Sequence, residues 1–178
     1  MESTCSLVYS LGMKDDIKEW TSASGRVYPK ISAEGTDLTT AFSEAARQFF
    51  GIFTEVSSIR PTQSVRINCE SSDTDFLFAD WLNTLIYESR ERGMIFSEFE
   101  IQVDGIQVRG VMKGEKIDSA RHPLKREFLG GAGFKELATD EGNPALGKPA
   151  RVSVVLNDDR RHPLPLRELW SLSQEETK

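Results

Sequence analysis

The 178-residue chain is poor in the residues that most often hold transition metals or act as thiol nucleophiles. Its cysteines are Cys5 and Cys69, and its histidines are His122 and His162. Two thiols are too few for a disulfide framework or a thiolate metal site, and neither sits in a catalytic constellation. No stretch approaches the roughly 18 apolar residues of a membrane span. The start, Met1-Glu2-Ser3-Thr4, lacks the basic and apolar regions of a secretory signal, so the expected compartment is cytoplasmic. The sequence holds no Gly-x-Ser-x-Gly elbow, no dinucleotide or Walker glycine pattern and no His-x-x-x-His pair. With no set of nucleophile, base and orienting group, the chain is read as a non-enzyme.

Positive charge is also in the minority. The 22 Lys and Arg stand against 28 Asp and Glu, a net charge of −6, which excludes a protein whose whole surface grips nucleic acid but allows a local basic face. With 38% hydrophobic and 28% charged residues the composition is that of a globular protein, and a chain of this length can bury roughly 70% of its unfolded surface. The organisation that follows is an N-terminal extension over 1–24, a domain over 25–158 and a tail over 159–178.

Alternation of Val27, Pro29, Ile31 and Ala33 predicts a strand, with Pro29 favouring a sheet edge or a bulge. Gly35 ends it, Thr36 or Asp37 can cap a helix, and Leu38, Phe42, Ala45, Phe49 and Phe53 recur at helical spacing. Beyond Pro61, the residues Val65, Ile67 and Cys69 alternate as a strand. A second helix is expected from Ser72 or Asp73, with Phe78, Leu82, Leu85 and Ile86 on its apolar face and Gly93 as its stop. Phe99, Ile101 and Val103 lead through Asp104-Gly105 into Ile106 and Val108. This predicts a central hairpin in which Val103 faces Ile106 and Ile101 faces Val108. Val152, Val154 and Leu156 give a last strand after a polar loop over 139–150. The expected class is α/β (α+β), a mixed β-sheet with two amphipathic helices.

Other features carry weaker chemistry. Arg109, Lys113, Lys116, Arg121, Lys125 and Arg126 form a basic stretch that could touch RNA or phosphate, although interleaved acids fit a solvated face. Gly130-Gly131-x-Gly133 could form a backbone anion nest. Each histidine lies in an Arg-His-Pro-Leu tetrapeptide, at 121–124 and 161–164, and is read as a surface residue of a basic loop. Trp81 is read as packing. In the tail, Leu166, Leu169 and Trp170 are candidate anchors for a partner protein.

One stretch is more specific. Ala79-Asp80-Trp81-Leu82-Asn83-Thr84-Leu85-Ile86-Tyr87 leads into Gly93-Met94-Ile95-Phe96-Ser97-Glu98-Phe99-Glu100-Ile101, followed by Gly114-Glu115-Lys116-Ile117-Asp118 and Arg121-His122-Pro123-Leu124. Upstream lie Gly35-x-x-Leu38 and Ala41-Phe42-x-x-Ala45-Ala46. Together with the element order, these residues resemble the archease family over roughly residues 25–158.

The resemblance implies a small α/β accessory factor for the RNA-splicing ligase of tRNA splicing and RNA repair. Such factors promote guanylylation and turnover of the ligase and do not join RNA themselves. It also implies a divalent cation (Ca, Mg or Mn) held by acidic side chains, and those positions depart from the family pattern. The last Asp of the family's Asp-His-Thr-Ala-Asp segment falls on Tyr28. The acidic position after the first helix meets Glu55, with Ser57 replacing the Asp that follows. The Asp of the last strand meets Asn157, with Asp158 next to it, and the family's Lys falls on Leu129 or Gly130. The surviving candidates for metal are Glu55, Asn157 and Asp158. The expectation is no cofactor and a lost metal-dependent role. The alternative is a protein-binding or scaffold module built on the same fold.

Overall fold

The computed structural model describes residues 18–125 and 131–159, with the side chains of 20, 131–133 and 157–159 left aside. The elements run β1 (Lys18–Thr21), β2 (Val27–Gly35), α1 (Leu38–Phe53), β3 (Gln63–Glu70), α2 (Thr74–Arg92), β4 (Met94–Asp104), β5 (Gln107–Lys116), β6 (Gly131–Asp140) and β7 (Ala150–Asp159).

The α+β class and both helices stand as the periodicity predicts. Asp37 caps α1 by accepting from the Thr40 N–H at 2.8 Å. Asp73 caps α2 in the same way through the Phe76 N–H at 2.9 Å. Gly93 closes α2 in the left-handed conformation (φ 59°, ψ 38°) that a side chain would disfavour. Sequence periodicity predicts a stripe on α1, yet Ala41, Phe42, Ser43, Ala45, Ala46, Phe49, Phe50, Ile52 and Phe53 are all buried. The helix has two apolar faces because it packs on β2 and β7 on one side and on β4 on the other. Phe50 stacks on Phe99 of β4 with ring centroids 6.1 Å apart. Trp81 of α2 is fully buried, and its indole N–H donates to the Phe42 carbonyl at 3.1 Å, so packing is its role.

The strands form two sheets, β1-β2-β7-β6 and β3-β5-β4, where the sequence suggested one mixed sheet. Every pairing among the described residues is antiparallel. The split follows from α1 filling the space between the two sheets. Pro29 is not on an edge strand, since β2 lies between β1 and β7. The β2–β7 ladder starts at Lys30↔Val155, so Pro29 sits where β2 is paired on the β1 side alone. That placement meets its lack of an N–H.

The central hairpin forms in a different register. Asp104 pairs with Gln107 and Val103 with Val108, so Gly105 and Ile106 make the turn. Gly105 alone has positive φ (57°), the pattern of a turn with glycine at its first central position. Ile106 is displaced to the surface at 42% exposure. Gly131 and Gly133 are ladder residues of β6, paired with Asp159 and Asn157, so their backbone groups are used in the sheet and not in an anion nest. Gly130 lies outside the described residues. β1 falls within the stretch read as an extension and pairs with β2 from Lys18↔Lys30 to Thr21↔Val27. No helix among the described residues is long and apolar enough to cross a membrane.

Candidate functional site at the end of the first helix

Three elements bring the predicted metal positions to one end of the fold. Gly35 turns the chain tightly into α1, where a Cβ would stand 2.6 Å from the Ala41 nitrogen. The helix then runs back along its strand, and the Gln48 amide bonds both the N–H and the carbonyl of Ser32 at 3.1 Å. The end of α1 therefore lies beside the start of β2. β7 is antiparallel to β2, so its last residues arrive at that same end. Tyr28 and the strand positions 157 and 158 stand at that end of the sheet, but β2 turns Pro29, Ile31 and Ala33 toward the core and Tyr28 to the other face, so Glu55, whose described partners are Ser57 and Lys125, is not joined to them by any described contact. Asn157 stands opposite Gly133 and Asp158 opposite Ala132.

The described donors do not fit a dication. A hard cation takes six to eight oxygen ligands, carboxylates prominent among them. The Glu55 carboxylate accepts from the Lys125 ammonium at 3.0 Å through Oε2 and from the Ser57 hydroxyl at 3.1 Å through Oε1. Its charge is matched within the chain. The Tyr28 ring lies under the Lys135 ammonium, with Nζ 5.8 Å from the ring centroid. Among the described residues no group of three or more His, Cys, Asp or Glu could hold a metal ion.

Lys125 reaches Glu55 because residues 115–125 form a strap from β5 back to α1. The strap corrects the reading of His122 as a surface residue, for it is fully buried. Asp118 organises the turn by accepting from the backbone N–H groups of Arg121 at 3.0 Å and His122 at 2.7 Å. The Asp118 N–H donates to His122 Nδ1 at 3.0 Å. A nitrogen that accepts carries no proton, so the neutral ring holds its proton on Nε2, which faces Glu115 Oε1 at 3.1 Å. Arg121 donates to that same carboxylate, and the Arg60 N–H adds a 2.7 Å bond. Burial of Glu115 opposes its ionisation, but the Arg60 N–H, Arg121 and His122 together hold its pKa below the ordinary carboxylate value. The strap is closed at its far end by two backbone contacts. The Thr54 hydroxyl donates to the Pro123 carbonyl at 3.2 Å, and the Lys125 N–H donates to the Phe53 carbonyl at 2.7 Å.

The basic stretch consequently breaks up. Lys113 pairs with Glu100 and, at 4.0 Å, with Glu98. Arg121 pairs with Glu115 and Asp118, and Lys125 with Glu55. Arg109, exposed on β5, makes no ion pair among the described residues. Arg126, His162, Leu166, Leu169 and Trp170 lie outside the described residues. Cys69 is free and half-buried on β3, and burial pushes its thiol pKa up, which suits a packing residue.

Sequence reasoning missed Glu115, the buried state of His122, and Lys135. For His122 a signal existed, since Asp118 stands four residues before it, the span of the turn that aims its backbone N–H at Nδ1. No local pattern could show Lys135 above Tyr28, because β6 is rich in glycine and charge.

Comparison with known proteins follows the same outline. Residues 29–141 match the family described as the Archease protein family (MTH1598/TM1083). The chain is 36% identical over 88 residues to the protein named archease of Methanopyrus kandleri, spanning 47% of this chain and 63% of that protein. It is 27% identical over 115 residues to the archease of Pyrococcus furiosus, spanning 62% of this chain and 81% of that protein. The solution structure of protein 1598 of Methanobacterium thermoautotrophicum superposes with a TM-score of 0.58, covering 71% of this chain and 89% of that one at 23% identity. That likeness shows the fold. The matched stretch runs from the start of β2 to the end of β6 and takes in both helices, the hairpin and the strap, and on that span the chain belongs to the archease family.

Proposed function

We propose that the chain serves as an archease-type accessory protein of an RNA-splicing ligase, raising the ligase's turnover in tRNA splicing or RNA repair without itself joining RNA. The observation that carries this reading is the family match over 29–141, which includes the whole strap and the end of α1. The described side chains offer no competing catalytic set. The His122 imidazole is fully enclosed and Glu115 is spent on Arg121, the Arg60 N–H and the ring, an arrangement that supports a structural role for the pair. Direct grip on RNA is not part of this reading, because Lys113, Arg121 and Lys125 are each paired with carboxylates.

The test is multiple-turnover ligation by the ligase of the same host, with and without an equimolar amount of this chain. More product per ligase is expected, together with faster guanylylation of the ligase. No change in either rate rejects the proposal. The second reading, a protein-binding module on the same fold, is favoured by Glu55 being neutralised within the chain. It predicts that truncation after Asp158 abolishes partner binding and leaves the fold intact, read as an unchanged melting temperature.

A further inference from the structure

We infer that the end of the fold opposite the strap is a docking surface for a basic region of the ligase, with Phe76, Ile106 and Leu146 as its apolar anchors. The inference rests on the ligase reading and adds where the partner is met.

Contacts between distant segments define this end. Gly35 at the close of β2 is paired with Ala150 at the start of β7, and Asp140 at the close of β6 is paired with Arg151. The Val103 N–H of the central hairpin donates to the Thr39 hydroxyl in the first turn of α1 at 2.9 Å. The Ser71 N–H, just before α2, donates to the Ile106 carbonyl at 3.0 Å. The Thr139 N–H donates to Asp75 in the first turn of α2 at 2.9 Å. The starts of both helices, the hairpin tip and the turn between β6 and β7 therefore stand at one end, and the 16 residues of α1 separate it from the strap by about 24 Å.

Three of the five exposed large hydrophobic side chains among the described residues stand here, which makes this end the place to look for a contact surface. Phe76 is 58% exposed, because Leu77, Phe78 and Trp81 already fill the core face of α2. Ile106 is put outside by the register of the hairpin. Leu146 is 80% exposed on a short turn that Asn143 caps by accepting from the Ala145 N–H at 3.1 Å and that the left-handed Gly147 closes. All three are presented by backbone that is already fixed, so docking needs little further ordering.

Charge selects the occupant. In the segments 34–40, 70–76, 103–107 and 139–151 the cations are Lys148 and Arg151, paired at 2.7 Å with Asp140 and Glu34. Asp37, Asp73 and Asp75 accept from uncharged donors. Glu70, Asp104 and Glu141 are exposed and make no ion pair among the described residues. The apolar anchors are thus set among carboxylates that no cation of the chain matches. An enzyme that joins RNA carries cationic surface to meet phosphates. A basic region with protruding apolar side chains satisfies both the anchors and the acids, whereas RNA itself is repelled.

The experiment is calorimetric titration of the full-length chain into the ligase of the same host, at low and at high salt, with ligase turnover measured on the same samples. The double variant Phe76→Ser, Leu146→Ser is expected to bind about tenfold more weakly or worse, the loss that truncated central anchors bring. The triple variant Glu70→Gln, Asp104→Asn, Glu141→Gln is expected to bind more weakly at low salt and nearly as its parent does at high salt. Both variants should melt with their parent, since the altered side chains are exposed. Val27→Ser, an equally exposed apolar position outside these segments, should keep the parent's affinity. A parent that binds and stimulates the ligase beside a double variant that binds just as tightly overturns the docking surface and leaves the ligase reading standing. Equal weakening by Val27→Ser overturns it too. A parent that neither binds nor stimulates the ligase removes both.

Discussion

Arg109 and Lys113 on β5 and Arg121 and Lys125 on the strap belong to one basic stretch of sequence, yet the fold treats them differently. On the strand, Arg109 is exposed and outside any described ion pair, while Lys113 is part-buried and held by exposed glutamates of the neighbouring strand. The strap pair, as exposed as Lys113, is held by Glu115 and Glu55, and Glu115 lies against a fully buried histidine. A run of like charges in sequence is therefore not a patch in space. What separates the two pairs is Asp118, which folds the chain into a turn just after β5 and carries the following cations to carboxylates distant from the β4–β5 ladder.

The largest effect that would test this contrast is expected from Glu115→Ala. It strips the partner from buried His122, from Arg121 and from the Arg60 N–H, and should cost about 2–3 kcal/mol of unfolding free energy in urea denaturation. Combined with His122→Ala, the losses should fall short of additivity by about 1 kcal/mol or more, because both remove one network. Additive losses would mean that the strap is not a unit.

The pH dependence sharpens the same point. The Glu115 pKa is lower in the folded chain than its ordinary value, so the carboxylate contributes stability that is complete above the unfolded value of about 4.3 and is lost as pH falls through the folded one. Unfolding free energy measured below about pH 4.5 should therefore drop less steeply in Glu115→Gln than in the parent. Equal slopes would show that Glu115 is not the group concerned.

Smaller effects belong to the outer residues. Lys125→Gln should cost no more than about 1 kcal/mol, and the loss should shrink at high salt, since both side chains of that pair are partly exposed. Arg109→Ala is expected to change stability by less than about 0.5 kcal/mol. A larger loss at Arg109 than at Glu115 would erase the distinction between the two regions.

Much of this architecture was legible in the chain. The caps at Asp37, Asp73 and Gly93 were readable because capping is chemistry between near neighbours. The hairpin was readable for the same reason, while its register was not. Moving the turn from Asp104-Gly105 to Gly105-Ile106 shifts every cross-strand partner by two residues, and both choices keep apolar residues together. β1 and β6 escaped because Lys-Glu-Trp-Thr and a glycine-rich, charged segment show no alternation, and they exist as strands through pairing with distant β2 and β7. At the site, Glu55 could be named from the sequence, but its partner stands 70 positions away. No window on the sequence could show that its charge was already answered.

The strap also sets an order of events. Its bonds join residues 69 and 70 positions apart, across α1, β3, α2 and the β4–β5 hairpin, so they are expected to form after those more local elements. Contacts of such long separation close late in folding. Weakening them should leave the folding rate nearly unchanged and speed unfolding. Glu115 and His122 then act as the latch that keeps a finished molecule shut.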